Sequence, residues 1–258
     1  MHAPVLGLEQ PAQVLVTGAS SGIGLALVQA LRQAPGVERV FAVARRAGAC
    51  AQLHAEASGD GARLLPIDAD LAADAGIAAV AAGVRAHVAE LHLVLNCAGV
   101  LHAEGMRPEK SLSGVGRAAL ERSFALNACA PLLLARALQP LLARGAPRVF
   151  ASLSARVGSI GDNRLGGWYA YRAAKAAQNQ LLRTLAIEWR RTHPQLACVL
   201  LHPGTVDTPL SRPFQARVPP ERLSSPARAA RGLLDLVARL RPADSGRFLA
   251  LDGSDIPW

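Results

Sequence analysis

The sequence predicts an α/β protein with a doubly wound parallel sheet of about seven strands and helices on both faces. The first observation behind this prediction is that strand-like apolar runs alternate with helical patterns along the chain. The second is a glycine-rich turn between the first strand and the first helix. The third is size, because 258 residues that are 51% hydrophobic, with no linker-like stretch, fit a single domain over residues 1–258. Ligands of such sheets bind at the carboxyl ends of the strands, so the candidate residues should meet there.

The first predicted strand, residues 14–17, leads through the glycine-rich turn into a helix that should end near Ala34. Glycines allow positive φ and a close approach of the backbone to a ligand. The free N–H groups and the positive end of the helix dipole then face a phosphate. Strand, glycine turn and helix in this order indicate a Rossmann-type nucleotide-binding unit. The candidate phosphate-binding residues are Gly18, Ser20, Ser21, Gly22, Ile23 and Gly24.

The second predicted strand, residues 40–44, ends beside Arg45 and Arg46. In a dinucleotide-binding fold this position meets the adenosine ribose. An acidic residue here would bind the 2′-hydroxyl of NAD, whereas an arginine suits the 2′-phosphate of NADP through charge-assisted hydrogen bonds. Arg45 therefore predicts that NADP(H) is the preferred cofactor and that NAD(H) is possible. Two solvated surface arginines are the alternative interpretation.

The third predicted strand, residues 63–68, runs into Asp68, Ala69 and Asp70. A carboxylate at this strand end can accept a hydrogen bond from the adenine amino group, and an aspartate can equally cap the next helix. We assign adenine recognition to Asp68, with Ala69 beside it, and the helix cap to Asp70.

The rest of the chain continues the alternation of strands and helices. The predicted helices cover residues 52–57, 71–89, 117–142, 169–191 and 227–240, and the further strands cover 91–96, 148–154, 195–202 and 246–251. Loops are expected at 100–116, 156–168 and 209–226, where glycine and proline are frequent. Asn127 lies in an apolar stretch of the 117–142 helix, and a buried asparagine there needs hydrogen-bond partners.

Charge and composition argue against several classes of protein. The net charge of +9 comes from scattered arginines with only two lysines, so we expect no nucleic-acid partner. No apolar run reaches membrane-spanning length and the N-terminus lacks the pattern of a secretory signal, so we expect no membrane association and a cytoplasmic location. The four cysteines lie far apart in the sequence, so we expect neither a metal site nor disulfides.

Tyr171 and Lys175 are four residues apart on a predicted helix, so both project from one face. A nearby ammonium favours the phenolate form of a tyrosine and lowers its pKa from the usual value of about 10. Such a tyrosine can exchange a proton with a substrate oxygen near neutral pH. A chance surface pair is the alternative, because the motif is short.

Several motifs occur together in one order. They are the glycine turn at 17–24, Asn96-Cys97-Ala98-Gly99, Asn127, a serine-bearing strand, Tyr171-x-x-x-Lys175 and Pro203-Gly204. In this order and at these spacings they resemble the short-chain dehydrogenase/reductase (SDR) family, over essentially the whole chain. The stretches 161–163, 166–172, 246–249, 252–253 and 256–258 look like its C-factor or carbonyl-reductase-like branch.

The resemblance implies hydride transfer between a nicotinamide cofactor and a carbonyl or alcohol carbon of a small-molecule substrate. It implies that Tyr171 is the general acid in reduction, that Lys175 binds the nicotinamide ribose and lowers the tyrosine pKa, and that Asn127 holds a water on a proton path. The further cofactor contacts that it implies are Asn96, Ala98, Gly99, Pro203, Gly204, Val206 and Thr208. The family often forms dimers or tetramers, so we expect a homo-oligomer.

One departure from the family pattern concerns the serine that orients the substrate oxygen. The family usually has Ser-Ser-x-x-Gly, whereas this chain has Ser154-Ala155-x-x-Gly158. If Gly158 sets the register, Ala155 holds the catalytic place. Side-chain alternation would then turn Ser154 away unless a local bulge restores it. We assign the role to Ser154, with Ser159 as the alternative.

The sequence therefore predicts an NADP(H)-dependent oxidoreductase that acts on a small carbonyl or alcohol. An apolar substrate is expected, because the loops that should line its pocket carry Trp168 and Phe214. The alternative is an NADP-binding regulatory or signalling protein with little or no turnover, which the irregular Ser154-Ala155 pair motivates.

Overall fold

The computed structural model describes residues 4–53, 63–142 and 145–258. The strands are β1 (Ala12–Thr17), β2 (Val37–Ala44), β3 (Leu64–Asp68), β4 (Leu93–Asn96), β5 (Arg148–Leu153), β6 (Leu196–His202), β7 (Thr205–Val206), β8 (Leu223–Ser224) and β9 (Phe248–Ala250). The α-helices are α1 (Gly22–Gln33), α2 (Asp74–Arg85), α3 (Arg117–Phe124), α4 (Ala130–Leu138), α5 (Tyr169–Thr192) and α6 (Pro226–Val237). Short 3₁₀ turns lie at Leu112–Gly114, Gln139–Leu141, Arg156–Gly158, Arg212–Arg217, Pro220–Arg222 and Pro242–Asp244.

Seven of these strands form one parallel sheet in the order β3-β2-β1-β4-β5-β6-β9. The chain builds outwards from β1 to β3 and then returns to add β4 on the other side of β1. The carboxyl ends of β1 and β4 therefore border the switch point, where sheets of this kind bind their ligands. The predicted fold class, a Rossmann-type doubly wound sheet, is confirmed.

The core has two layers because side chains alternate along each strand. On one face, Val14 and Val16 of β1 belong to an apolar cluster that includes residues of α1 and α6. On the other face, Leu15 belongs to a cluster that includes residues of α2, α4 and α5. In the second cluster Trp189 meets Phe150 edge to face, with ring centroids 5.8 Å apart. The alanine-rich helices can approach the sheet closely, so few aromatic residues are needed to fill the core.

The predicted helix over residues 117–142 is interrupted by a π-helical turn at Ala125–Cys129, and Asn127 lies within this turn. The turn inserts one extra residue into the ladder of hydrogen bonds, and such turns often mark functional positions. Together the helical segments run from Arg117 to Leu141, with a mean hydropathy of 1.2 in their most apolar window. By length and composition alone this combined helix could cross a membrane, which the expectation from apolar runs did not anticipate. However, core helices also satisfy this criterion, and 44% of the window is buried inside the protein.

Other boundaries differ from the sequence predictions. Helix α2 begins at Asp74 rather than at residue 71, and its N-cap is Ala73, so Asp70 is not the helix cap. The stretch predicted as a loop at 209–226 contains two 3₁₀ turns and the strand β8, which pairs with β7. Most of the short helix predicted at 52–57 lies outside the described residues, which end at residue 53 and begin again at residue 63.

Candidate active site

A cavity of about 930 Å³ opens at the carboxyl ends of the central strands. The predicted site residues that line it are Gly18, Ser20, Ser21, Gly22, Ile23, Gly24, Arg45, Ala69, Ala98, Gly99, Ser154, Tyr171, Lys175, Pro203, Gly204, Val206 and Thr208. Those absent from its walls are Asp68, Asn96, Asn127 and Ser159. Residues far apart in sequence thus meet at one crevice, as the predicted topology requires. Among the described residues, no three His, Cys, Asp or Glu side chains form a group that could hold a metal ion.

The glycine turn after β1 forms a tight cradle at one end of the cavity. Gly18 has a φ of 67°, and a Cβ added there would lie 3.0 Å from the backbone nitrogen of Ala98. A Cβ at Gly24 would collide with the carbonyl oxygen of Gly18, and a Cβ at Gly22 would lie 3.0 Å from Thr208 Cγ2. Side chains are therefore disfavoured at these three glycines. The cradle fits the diphosphate of a dinucleotide, which needs exposed backbone N–H groups at a helix N-terminus.

Asn96 shapes this cradle from behind the cavity wall. The hydroxyl of Thr17 donates to Asn96 Oδ1 at 2.8 Å, and the backbone N–H groups of Cys97 and Ala98 donate to the same hydroxyl oxygen at 3.1 Å each. Asn96 Nδ2 donates in turn to the hydroxyl of Ser152 at 2.8 Å. The predicted cofactor contact of Asn96 is therefore corrected: its side chain is buried at the strand end and fixes the backbone that lines the cavity.

The adenosine end of the site corrects a second prediction. Arg45 lies just beyond β2, is exposed, and borders the cavity as expected. Asp68, to which we assigned adenine recognition, instead accepts a hydrogen bond from the backbone N–H of Gly48 at 2.8 Å and stays outside the cavity. Asp70 lines the cavity, where its Oδ1 accepts from the backbone N–H of Ala72 at 3.0 Å. The chain turns towards the cavity only after β3 ends, so Asp70 is the carboxylate that faces it.

Tyr171 and Lys175 lie on the first turns of α5, with the Lys175 ammonium 5.8 Å from the centre of the Tyr171 ring. Both side chains are buried, at 8% and 4% exposure. Burial raises the pKa of Tyr171 above its usual value, and burial lowers the pKa of Lys175 to about 7. Burial thus shifts the tyrosine pKa in the direction opposite to the lowering that we expected from Lys175.

Two residues that the sequence did not single out hold Lys175 in place. Its Nζ donates at 2.8 Å to both the Leu153 carbonyl oxygen and Gln178 Oε1. Gln178 Nε2 donates at 2.7 Å to the hydroxyl of Ser152, which also accepts from Asn96. A buried chain of hydrogen bonds thus joins Lys175 to the end of β4. The available signal was spacing, because a polar residue three positions after Lys175 shares its helix face.

Asn127 uses its amide to fix the backbone after β4. Its Oδ1 accepts from the Val100 N–H at 2.8 Å, and its Nδ2 donates to the Val100 carbonyl at 2.8 Å and to the Ser123 hydroxyl at 3.0 Å. A Cβ at Gly99 would lie 3.0 Å from Asn127 Oδ1 and 4.0 Å from Lys175 Nζ. The missing side chain at Gly99 therefore keeps space between Asn127 and Lys175. The water-mediated role of Asn127 stays a prediction.

The geometry around Ser154 does not support its assigned role. Its hydroxyl donates to Asn179 Oδ1 at 2.6 Å, and the side chain is only 4% exposed. A serine has one hydroxyl proton, so Ser154 cannot donate to a substrate oxygen while it holds this bond. Ala155 lines the cavity beside it and has no polar group to offer. The reserve candidate, Ser159, lies outside the cavity walls, where its oxygen accepts from the Asp162 N–H at 3.1 Å.

The end of the cavity beyond Tyr171 is aromatic. Trp168 packs edge to face against both Tyr171 and Phe214, with centroid distances of 6.4 and 5.0 Å. His102, which the sequence did not single out, packs edge to face against Phe214 at 5.8 Å. Trp168 has a φ of 53°, the one positive φ among the described non-glycine residues, at a cost of about 1–3 kcal/mol. The backbone N–H of Trp168 donates to the carbonyl of buried Glu109 at 2.6 Å, and this hydrogen bond holds the backbone conformation.

Comparison with known proteins supports the interpretation of the motifs. A family model described as short chain dehydrogenase matches residues 12–218. The chain is 31% identical over 245 residues to 1-hydroxy-2-glutathionyl-2-methyl-3-butene dehydrogenase of Rhodococcus sp. (strain AD45), covering 95% of this chain and 99% of that one. It is 37% identical over 149 residues to C-signal of Myxococcus xanthus, covering 57% of this chain and 84% of that one.

A solved structure shows the same architecture. The NADPH-bound carbonyl reductase from chicken fatty liver superposes with a TM-score of 0.84, at 30% identity over 96% of this chain and 100% of that one. This match covers more of the chain than the family model does, so it includes part of the chain after residue 218.

Proposed function

The chain belongs to the short-chain dehydrogenase/reductase family, and from that premise we propose that it is an NADP(H)-dependent reductase of small carbonyl compounds. The observation that carries the proposal is that Tyr171 and Lys175 line the same cavity as the glycine turn, whose glycines leave no room for side chains. The NADPH bound to the chicken carbonyl reductase also supports this choice of cofactor.

The cavity offers a matching group for each part of the cofactor. The glycine turn would hold the diphosphate, and Arg45 would pair with the 2′-phosphate. Asp70 would accept from the adenine amino group, and Lys175 would bind the ribose beside the nicotinamide. When bound, the cofactor supplies the hydride.

Tyr171 would supply the proton. Burial keeps the pKa of its phenol high, so the hydroxyl is protonated at neutral pH and can donate to the oxygen of a carbonyl substrate. The ammonium of Lys175 would then stabilise the phenolate that remains, because the two groups face each other inside the protein, where charges interact strongly. Gln178 and the Leu153 carbonyl keep Lys175 in position for this step.

The test is the reduction of a panel of aldehydes, ketones and quinones. The loss of NADPH absorbance measures the rate of each reaction. The proposal expects turnover by the wild-type protein and a loss of about 100-fold or more in Tyr171→Phe, since general acid catalysis contributes on that order. Tyr169→Phe is the matched control, because Tyr169 is on the same helix but outside the cavity walls. Undiminished turnover in Tyr171→Phe would contradict the assignment of Tyr171.

A cofactor-binding regulatory or signalling protein with little or no turnover is the second candidate. The hydrogen bond from Ser154 to Asn179 favours it, because the cavity then lacks the serine donor that the family uses. This candidate expects NADP(H) to bind in calorimetry, while no member of the carbonyl panel is reduced. Turnover that depends on Tyr171 would exclude it.

We also propose a homo-oligomer in the cytoplasm, with neither nucleic acid nor membrane as a partner. Light scattering on the purified protein tests the oligomer, and a monomer at micromolar concentration would contradict it. Fractionation of the source cells tests the location, and salt-dependent binding to DNA or RNA would contradict the expectation about nucleic acid.

A further inference from the structure

Four aromatic rings follow one another along the cavity wall, and we call them the aromatic wall: Tyr171, Trp168, Phe214 and His102. Neighbouring centroids are 6.4, 5.0 and 5.8 Å apart, and each pair meets edge to face. The rings come from three separate segments of the chain, and the tyrosine at one end carries the reactive hydroxyl. The wall therefore begins at the residue whose hydroxyl would meet a carbonyl group.

The aromatic wall is held rigidly before any ligand arrives. The backbone of Trp168 is fixed by the hydrogen bond from its main-chain N–H to the Glu109 carbonyl, and Glu109 Oε2 also accepts from the Ala170 backbone N–H at 3.3 Å. His102 Nε2 lies 3.1 Å from the Pro209 carbonyl oxygen, which links the loop after β4 to the segment that carries Phe214. Rigid rings lose little conformational freedom when a ligand binds, so they favour a ligand of matching shape.

The surroundings of the aromatic wall are apolar and carry no dominant charge. Trp168, Phe214 and His102 are only half-buried, so they keep surface that a ligand can cover. The other cavity residues on the same loops are mainly aliphatic: Leu101, Val157, Leu210 and Val218. The charged residues of α3 that border the cavity, Glu121 and Arg122, have opposite signs. A neutral, flat ligand fits this end of the cavity better than an anion or a cation.

We propose that the aromatic wall selects substrates that carry an aryl ring within about one methylene group of the reacting carbonyl group. Trp168 and Phe214 are the residues that determine this specificity. The inference rests on the proposed function, because it names the substrate class of the same site. Contacts between aromatic rings are more stable than the burial of their apolar surface alone would make them. The value of kcat/KM for an aryl substrate should therefore exceed that for a saturated ring of similar size by about 2- to 10-fold.

The test compares phenylacetaldehyde with cyclohexylacetaldehyde, in which a methylene group separates the ring from the carbonyl and so equalises the reactivity. We expect wild-type kcat/KM to favour the phenyl compound. Phe214→Leu should lower this preference by about 2- to 10-fold, whereas Phe214→Tyr should preserve it. Trp168→Leu should act like Phe214→Leu, and Trp258→Leu is the control, since Trp258 stacks on Phe248 outside the cavity walls. An equal preference in wild type and Phe214→Leu would overturn the inference.

A binding experiment separates this inference from the proposed function. If neither aldehyde is reduced, the aromatic wall is tested on NADP⁺-loaded protein by ligand-observed NMR. The proposed function itself fails only if the rest of the carbonyl panel is not reduced either. Tighter binding of 2-phenylethanol than of 2-cyclohexylethanol, lost in Phe214→Leu, supports the inference. Equal binding of the two alcohols, or no binding of either, overturns it. Calorimetry with NADP⁺ confirms that every variant is loaded to the same extent.

Discussion

The hydroxyl of Ser154 donates a 2.6 Å hydrogen bond to Oδ1 of Asn179, and this contact is buried inside the protein. Asn179 is oriented for this role, because its Nδ2 donates to the Gly158 carbonyl at 3.4 Å and leaves Oδ1 as the acceptor. The one proton of Ser154 is therefore already committed. Ala155, which follows it, lines the cavity with a methyl group.

This pairing predicts a gain of activity. Ala155→Ser should place a free hydroxyl on the cavity wall, where it can donate to the substrate oxygen, and raise kcat about tenfold or more, since donors of this kind contribute at least that much. Ser154→Ala should change kcat less than about threefold but cost about 1 kcal/mol of stability, since Asn179 loses its donor. Steady-state kinetics and urea unfolding measure the two effects. A loss of 100-fold in Ser154→Ala would restore Ser154 as the catalytic serine.

Gln178 accepts from the Lys175 ammonium, so Gln178→Leu should lower the pKa of Lys175 further by removing an acceptor that favours the charged form. Gln178→Glu should raise that pKa. The alkaline limb of the kcat profile should move to lower pH in the first variant and to higher pH in the second. Gln180→Leu is the matched control, because Gln180 is exposed on the same helix and its side-chain amide donates to Thr184. Identical profiles in the three variants would show that Gln178 does not act on Lys175.

Burial of Lys175 should make the stability of the fold depend on pH. Its pKa is about 7 in the folded protein and about 10.5 in the unfolded chain, so the unfolded state binds more protons between these values. Stability therefore rises with pH from about 7 to 10.5, and the cost of burying the charge is fully present below pH 7. Lys175→Met should raise Tm at pH 6.5 by a few degrees, roughly 2–4 °C per kcal/mol for a chain of this size. The gain should shrink towards pH 10.

Lys110→Met provides the control for this measurement, because Lys110 is the only other lysine in the sequence and is exposed. It should leave Tm unchanged within about a degree at every pH, as expected for a surface substitution. If Lys175→Met lowered Tm at pH 6.5, the hydrogen bonds of the ammonium would outweigh its burial.

Arg45 should decide the choice between the two dinucleotides. Arg45→Asp removes the partner of the 2′-phosphate and adds a repulsive charge, so the ratio of kcat/KM for NADPH over NADH should fall by at least tenfold. Arg46→Asp tests the neighbouring arginine, which does not border the cavity and should have a smaller effect. An unchanged ratio in Arg45→Asp would show that Arg45 does not contact the phosphate.

Asp70 and Asp68 form a matched pair for testing adenine recognition. Asp70→Ala should weaken NADPH binding several-fold, because a hydrogen bond to the adenine amino group contributes about 1 kcal/mol. Asp68→Ala should leave the affinity for NADPH nearly unchanged, since the carboxylate of Asp68 accepts a hydrogen bond from the Gly48 N–H outside the cavity. Calorimetric titration with NADPH measures both. Weaker binding in Asp68→Ala alone would return the role to Asp68.

The sequence by itself determined the features that depend on neighbours along the chain. Alternating strand and helix patterns gave the sheet, the spacing of glycines gave the phosphate cradle, and the four-residue spacing gave the pair of Tyr171 and Lys175. These features follow from period and backbone conformation, which a chain carries locally. The confirmed fold and family rest on such local signals.

Only the tertiary structure decided which side chains share a partner or lose water. In the folded chain Asp70 rather than Asp68 lines the cavity, because the chain turns inwards after β3. The tertiary structure paired Ser154 with Asn179 and the Lys175 ammonium with the Leu153 carbonyl, contacts that form when α5 packs beside β5. Burial also reversed the expected shift in the pKa of Tyr171. These outcomes depend on the packing of distant segments and on exclusion of solvent, which no sequence spacing encodes.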